Sequence, residues 1–174
     1  TSAQNWMVFS TALLLKSRLE AASTYSADRA ALQLEVLVSQ HAALATKEDD
    51  ARLERDDAPA ADRLAFLSAL DYPAIWEAKN ELAYAMMNLG ALVSAAEQFA
   101  AISQWDNVVE CYAAAGRRSE ALRVLKAQEK TPNLLCVLAE IQDEAIHFET
   151  AWHDSQYRSA RAARGLGRYY ARAK

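Results

Sequence analysis

The chain has 174 residues, which is enough for one sizeable core or for a short stack of repeated units. Just over half of it is apolar in type (52%), and its 4 glycines and 3 prolines are too few for a turn-rich β fold. The formal net charge of −4 argues against a general nucleic-acid binder, and no apolar run reaches the length of a membrane span.

The first residues, Thr1–Gln4, contain no basic region ahead of an apolar stretch, so we expect no signal peptide. A cytoplasmic and/or nuclear protein is the expectation that follows. The chain begins and ends inside patterned sequence, and we therefore expect it to be part of a longer protein.

Residues 1–45 predict an N-terminal pair of helices. Two apolar rows at helical spacing run along the first helix, from about residue 5 to residue 22, and predict a helix that is packed from both sides. The first row is Trp6, Phe9 and Leu13, and the second is Val8, Ala12, Leu15 and Leu19. Residues 46–58 are densely charged and nearly free of apolar side chains, which indicates a solvated linker or an exposed helix end.

Residues 59–174 contain a repeated helix–turn–helix pattern. Trp105, Val108, Val109 and Tyr112 recur at steps of three and four, so they share one face of a helix. Gly116 is placed to end that helix, because glycine takes the left-handed conformation without a side-chain penalty. Ala121 then lies where a second helix must approach the first closely. This spacing is typical of a tetratricopeptide repeat.

Two further copies of the pattern flank this unit. Gly90-x4-Ala95-x3-Phe99 matches Gly116-x4-Ala121-x3-Leu125, and Leu166-Gly167-x2-Tyr170 matches the first helix of a unit. The offset from Gly90 to Gly116 is 26 residues, shorter than the repeat of about 34. We therefore predict short helices or tight joints in an all-α fold, a right-handed α–α superhelix of antiparallel helix pairs.

Several segments are more specific than the repeat spacing alone. They are Asn5–Glu20, Glu81–Ala83, Leu89-Gly90, Ser94–Phe99, Trp105–Tyr112, Thr131-Pro132, Ala151-Trp152 and Arg158–Arg164. In this order they resemble the tetratricopeptide repeat domain 27 family of eukaryotic α-solenoids. The resemblance implies a non-enzymatic helical scaffold, linked with the assembly and chaperoning of protein and ribonucleoprotein complexes in cytosol and nucleus.

No set of residues predicts catalysis, a metal site or a cofactor. His147 and His153 are six residues apart, which does not place them on one helix face at ligand spacing, and His41 is remote in sequence. The Gly165-x-Gly167 pair is too sparse for a phosphate-binding loop. Cys111 and Cys136 are expected to be small buried packing residues in a reducing compartment. We expect neither an enzyme nor a small-molecule substrate.

The predicted binding surface is the inner face of the solenoid, which the first helices of the pairs line. Its candidate residues are Glu77, Asn80, Tyr84, Asp106, Glu110, Arg161, Arg164 and Arg168. The acids among them would repel the terminal carboxylate of a chaperone tail, which disfavours a carboxylate clamp.

Six basic residues and no acid follow Gln156, and removing them from the net charge of −4 leaves −10 for residues 1–155. Arg161, Arg164, Arg168 and Arg172 recur at steps of three, four and four, so they form one stripe on a helix. The stripe either contacts an acidic peptide or phosphate backbone or is a solvated face that pairs with acids of a neighbouring helix. The favoured function is a protein-interaction scaffold with a peptide or helix in the groove. The alternative is a structural RNA-associated subunit that uses the arginine-rich helix.

Overall fold

The computed structural model describes residues 6–42, 66 and 68–172. Every regular element in this part of the chain is an α-helix, which confirms the all-α class. The nine helices found there are α1 Trp6–Ala21, α2 Ala27–Ala42, α3 Ile75–Asn88, α4 Leu92–Ala101, α5 Trp105–Ala114, α6 Arg118–Ala127, α7 Pro132–Gln142, α8 Ala145–Asp154 and α9 Ala160–Arg172. They group into two compact units, Thr1–Ala91 and Leu92–Lys174.

The predicted linker, residues 46–58, lies outside the described residues, as do both of its boundaries. The division of the chain at residues 45 and 59 therefore stays a prediction. Within the described residues, α3 belongs to the same compact unit as α1 and α2.

The first unit is built on the packing of α2 against both α1 and α3. Its core contains Leu14 of α1, Leu34 and Leu37 of α2, and Leu82 of α3. The helix α1 buries hydroxyl groups, and Ser17 Oγ lies 2.8 Å from the Leu13 carbonyl oxygen and 2.9 Å from Gln33 Oε1 of α2, so that its one proton is shared between two acceptors. These bonds offset the desolvation cost of a polar group inside the unit.

The outer face of α1 differs from the prediction. Phe9 is 65% exposed, Leu15 is 52% exposed and Leu19 is 79% exposed. Among the described residues, α1 is thus packed on one side only, and the expectation of a helix packed from both sides is wrong for them. The apolar second row is present, but no described helix lies over it.

The second unit shows why the repeat is short. The helices α4, α5, α6 and α8 have 10 residues each, and α7 has 11. Each first helix packs against its own second helix and against the next first helix, so that α5 contacts α6 and α7, and α7 contacts α8 and α9. This is the helix-pair arrangement of a tetratricopeptide repeat, as the spacing predicted.

Left-handed residues end three helices, two of them at the predicted glycines and one at Asp143, which the sequence analysis did not single out. Gly90 has φ 81° after α3, Gly116 has φ 74° after α5, and Asp143 has φ 56° after α7. The small residues also lie where close approach was expected, because Ala95 and Ala121 are completely buried. Local sequence signals therefore determine these turns and the small buried residues that follow Gly90 and Gly116.

The remaining signature residues divide between core and surface. Phe99 is completely buried, and Trp105 is half-buried at the first residue of α5. Tyr112 and Leu166 pack against two buried clusters, which are centred on Val109 and on Phe148. Gly167 and Tyr170 are exposed on α9, and the Tyr170 hydroxyl donates a hydrogen bond to Glu149 Oε1 at 2.7 Å.

The pair of α7 and α8 departs from the repeat pattern at one position, and the next helix, α9, compensates for the change. The fourth residue is Ala95 in α4 and Ala121 in α6, but it is Phe148 in α8. The Phe148 ring is buried against Gly165 of α9, where a Cβ atom would overlap the ring. A large side chain on one helix is thus accommodated by the absence of one on the next.

Both cysteines are buried and free, as the sequence predicted. Burial raises the pKa of the Cys111 thiol and of the Cys136 thiol above the usual value, because it disfavours the charged thiolate. They act as small apolar side chains in the second unit.

Candidate functional site

A row of charged side chains joins three successive first helices of the second unit. Glu110 lies on α5, Glu140 on α7 and Arg161 on α9. The Arg161 guanidinium donates one hydrogen bond from Nη1 to Glu110 Oε1 and another from Nη2 to Glu140 Oε2, the latter at 3.1 Å. We call these three residues the charge clamp.

The sequence places each clamp residue at the edge of a packed helix face. Glu110 stands between buried Val109 and Cys111, and Glu140 follows buried Ala139. Arg161 precedes buried Ala162 and retains only 29% of its side-chain exposure. The buried neighbours fix the helix rotation, and the charged residues therefore point along the same surface.

The clamp holds Arg161 in its charged form. Burial acts to lower the pKa of Arg161, but the hydrogen bonds and charges of Glu110 and Glu140 outweigh it, so the pKa is raised above its usual value. The guanidinium is therefore a permanent positive charge that two carboxylates orient from both sides.

An open concavity lies beside the clamp. Its lining residues are Glu110, Glu140, Arg161, Arg164, Gly167, Arg168 and Ala171. Arg168 Nη2 lies 3.7 Å from Glu140 Oε1, whereas Arg164 makes no ion pair within the described part of the chain. The concavity therefore offers one unpaired guanidinium next to one that is weakly held.

The structure brings four of the predicted site residues together here: Glu110, Arg161, Arg164 and Arg168. The sequence analysis missed Glu140. Glu140 is a single acid directly after the apolar run Leu134–Ala139, which could have indicated a groove residue. That prediction would have required assigning α7 as the first helix of a pair.

Asp106 lies near the other end of α5, outside the clamp concavity. Its Oδ1 accepts a hydrogen bond from Thr131 Oγ1 at 3.3 Å, and both residues line a second open concavity with Trp105 and Leu134. Asp106 thus links the starts of α5 and α7.

The other three predicted residues belong to α3 in the first unit. Glu77 Oε2 accepts a hydrogen bond from the Ala74 amide at 3.1 Å, which satisfies a donor at the helix start. Asn80 is half-buried, and its Oδ1 atom has no hydrogen-bond partner among the described residues. Tyr84 is exposed. A role of these residues in binding stays a prediction.

The histidines make ordinary polar contacts where their side chains are described. His147 Nε2 lies 2.8 Å from Gln142 Oε1, and His153 is exposed, while the side chain of His41 is not among those described. Within residues 6–42, 66 and 68–172, no group of three His, Cys, Asp or Glu side chains could hold a metal ion. No helix in the same ranges is both long and apolar enough to cross a membrane.

Two curated relatives match nearly the whole chain. It is 35% identical over 169 residues to the tetratricopeptide repeat protein 27 homolog of Dictyostelium discoideum, a match that covers 95% of this chain and 18% of the relative. It is 31% identical over 189 residues to a TPR repeat-containing protein of Schizosaccharomyces pombe, which covers 95% of this chain and 23% of that relative. The chain therefore spans about a fifth of the length of these relatives. No model of a protein family and no solved structure matches it.

Proposed function

From the premise that this chain belongs to the tetratricopeptide repeat protein 27 family, we propose that it is a non-enzymatic adaptor for the assembly of protein or ribonucleoprotein complexes. Tetratricopeptide repeat proteins are scaffolds for protein–protein interaction, and this general role follows from the family and the all-helical fold. The proposal goes further than this general role in three ways. It assigns the chain an adaptor role, it places protein partners in the clamp concavity, and it places the protein in the cytoplasm and/or nucleus.

The observation that supports the proposal is that the arginines of α9 differ in their ion pairs. The clamp pairs Arg161 with two glutamates and joins the three first helices, whereas Arg164 in the same concavity has no ion pair with any residue that the structure describes. A partner carboxylate can bind the Arg164 guanidinium in a bidentate manner, with Arg168 one turn further along the helix. We propose that the partner is an acidic peptide or helix of another protein.

The same observation weighs against the RNA alternative. Arg161 pairs with two glutamates, Arg168 lies near Glu140, and Arg172 Nη2 lies 3.7 Å from Asp143 Oδ1. A row of phosphates would have to displace these acids or lie beside them, and like charges disfavour both. The arginine stripe is therefore a poor track for a nucleic-acid backbone.

The test is affinity purification of the full-length protein, with and without nuclease, as wild type and as two charge-reversal variants. Arg164→Glu reverses the unpaired charge in the concavity. The matched control is Arg158→Glu, which reverses an exposed arginine that lies outside the concavity and makes no ion pair with the described residues. We expect partners that survive nuclease, and a loss of about tenfold or more in their recovery with Arg164→Glu only, the loss typical of a charged hydrogen bond.

Two results would overturn the proposal. Partners that disappear on nuclease treatment, together with a steep loss of RNA affinity as salt rises, would establish the RNA-associated role instead. Equal recovery with both variants would show that Arg164 contacts no partner.

A further inference from the structure

Arg118 is another arginine without an ion pair in the unit that contains the clamp. It is the first residue of α6, it is exposed, and it pairs with no acid among the residues that the structure describes. It therefore places an unneutralised positive charge on the surface. The sequence analysis did not single it out, because it belongs to the second helix of a pair and not to the predicted inner face.

Two open concavities adjoin Arg118. We name them after one buried residue in each, the Val137 concavity and the Phe148 concavity, and both are lined by Arg118 and Ile141. Glu140 lines these two concavities and the clamp concavity as well. The three concavities therefore adjoin one another at Glu140, and one ligand chain can cross from the clamp concavity to Arg118 without leaving the surface.

The lining of the three concavities has an excess of positive charge. Five arginines and three acids take part in it. Arg161, Arg168 and Arg172 lie within ion-pair distance of these acids. The excess of two positive charges therefore corresponds to Arg118 and Arg164, and an occupant with two negative charges is complementary to it.

The two unpaired arginines lie in different concavities. Arg164 lines the clamp concavity alone, whereas Arg118 lines the other two and not the clamp concavity. Glu110 and Arg161 of the clamp line both the clamp concavity and the Val137 concavity, so the clamp lies between the two arginines. A phosphate group carries its two charges on one compact centre. Two separate carboxylates therefore match this arrangement better than one phosphate does.

The surface next to Arg118 is partly apolar. Ala113, Val137 and Ile141 line the Val137 concavity, where Val137 is buried and Ile141 is half-buried. An apolar side chain of the occupant can cover Ile141 and remove its remaining apolar surface from water. The lining therefore favours an apolar residue between the two acids.

We propose that the occupant of the groove is a protein segment with one acidic side chain on each side of an apolar residue, and that Arg118 binds the second acid. This inference rests on the proposed function, in which Arg164 binds the first acid. Each guanidinium forms a bidentate pair with one carboxylate. Arg118 then determines specificity, because a segment with a single acid leaves one of the two arginines without a partner.

Biolayer interferometry on immobilised synthetic peptides tests the inference with the purified full-length protein. The peptides carry two glutamates separated by one to six residues, with a leucine between them and glycine and serine elsewhere. In matched peptides, glutamine replaces one glutamate or the other. We expect the tightest binding at one spacing, and a loss of about tenfold or more when either glutamate is replaced, as is typical of a charged hydrogen bond.

Arg118→Glu should cause the same loss with the best two-acid peptide. A glutamate is compatible with the first turn of a helix, so this variant should keep the far-UV circular dichroism of the wild type. The matched control is Arg123→Glu, which reverses an exposed arginine of the same helix that lines none of the three concavities and should bind like the wild type.

A charge exchange between protein and peptide assigns each acid to its arginine. Replacing one of the two peptide glutamates with lysine should restore binding to Arg118→Glu, and replacing the other should restore binding to Arg164→Glu. Restoration of both variants by the same lysine would show that the two arginines contact one group, which would overturn the inference.

Other results would also overturn it. If single-acid peptides bind as tightly as two-acid peptides, or if Arg118→Glu binds like the wild type, Arg118 binds no second acid, and a loss with Arg164→Glu alone would still support the proposed function. A peptide with one phosphoserine that binds as tightly and depends on both arginines would identify a single doubly charged group as the ligand. If no two-acid peptide binds, the inference is wrong, and the recovery of partners with Arg164→Glu decides the proposed function separately.

Discussion

Replacing Gly165 with alanine tests the contact between α8 and α9. Gly165 is buried in the middle of α9, and the ring of Phe148 occupies the space that an added Cβ atom would need. Gly167 lies on the same helix two residues later and is exposed, and apart from the adjoining backbone of α9 an added Cβ atom there would have no neighbour within 4 Å. The two glycines thus differ in their surroundings but share a helical backbone.

The magnitude follows from two opposing terms. Glycine in a helix interior is less stable than alanine by about 1 kcal/mol, so Gly167→Ala should raise the free energy of unfolding by about that amount. Gly165→Ala gains the same term but adds a methyl group to a filled core, which costs about 1–3 kcal/mol. The propensity term cancels between the two variants, and their difference of about 1–3 kcal/mol measures the overlap with Phe148 alone.

Urea unfolding followed by far-UV circular dichroism measures both variants against the wild type. In the background Phe148→Leu the penalty at position 165 should fall, since a smaller side chain leaves room for the methyl group. If Gly165→Ala stabilises the protein as much as Gly167→Ala does, the ring of Phe148 does not pack on Gly165. The inference that Gly165 of α9 makes room for Phe148 of α8 is then wrong.

Other substitutions test separate parts of the second unit. Arg161→Ala should lower the free energy of unfolding by about 1–2 kcal/mol in urea, because it leaves two carboxylates without their shared cation in a partly screened site. Arg172→Ala breaks an exposed pair and should lower the free energy of unfolding by about 0.5 kcal/mol or less. Thr131→Ala removes the cap of α7, in which the Leu134 amide donates to Thr131 Oγ1 at 3.2 Å, and should cost about 1 kcal/mol in the same assay. Gly116→Ala forces a side chain into a left-handed backbone at φ 74° and should lower the melting temperature by about 2–4 °C for each 1 kcal/mol lost.

Each of these expectations has an opposing result. Equal costs for Arg161→Ala and Arg172→Ala would mean that the clamp adds no more than a surface ion pair. A Thr131→Ala variant as stable as the wild type would show that Pro132 alone defines the start of α7. An unchanged melting temperature for Gly116→Ala would mean that the turn after α5 readily adopts another conformation.

The sequence predicted those features that depend on neighbouring residues. Gly116 marked the end of α5, Ala121 marked the close helix contact, and the 26-residue offset from Gly90 implied short helices. Each of these signals acts within one or two turns of helix, where periodicity and backbone preference decide the structure.

Other features depend on residues far apart in the chain, and the sequence did not predict them. Phe148 takes an alanine position only because Gly165 lies opposite, and a linear pattern does not reveal that pairing. Glu140 faces Arg161 because α7 and α9 are both first helices, which required a correct pairing of all the helices between them. The apolar rows of α1 predicted burial on two sides, but Leu15 and Leu19 are exposed, because an apolar row shows that a helix face can be buried and does not show that a neighbour is present.

The charge clamp also has a consequence for the order of folding. Arg161 bonds to residues that precede it by 51 and by 21 positions, so the clamp is complete only when α5, α7 and α9 lie side by side. A contact that forms only after the folding transition state leaves the folding rate unchanged and lowers the unfolding rate. Arg161 would therefore prolong the lifetime of the folded repeats, and its replacement would increase their unfolding rate.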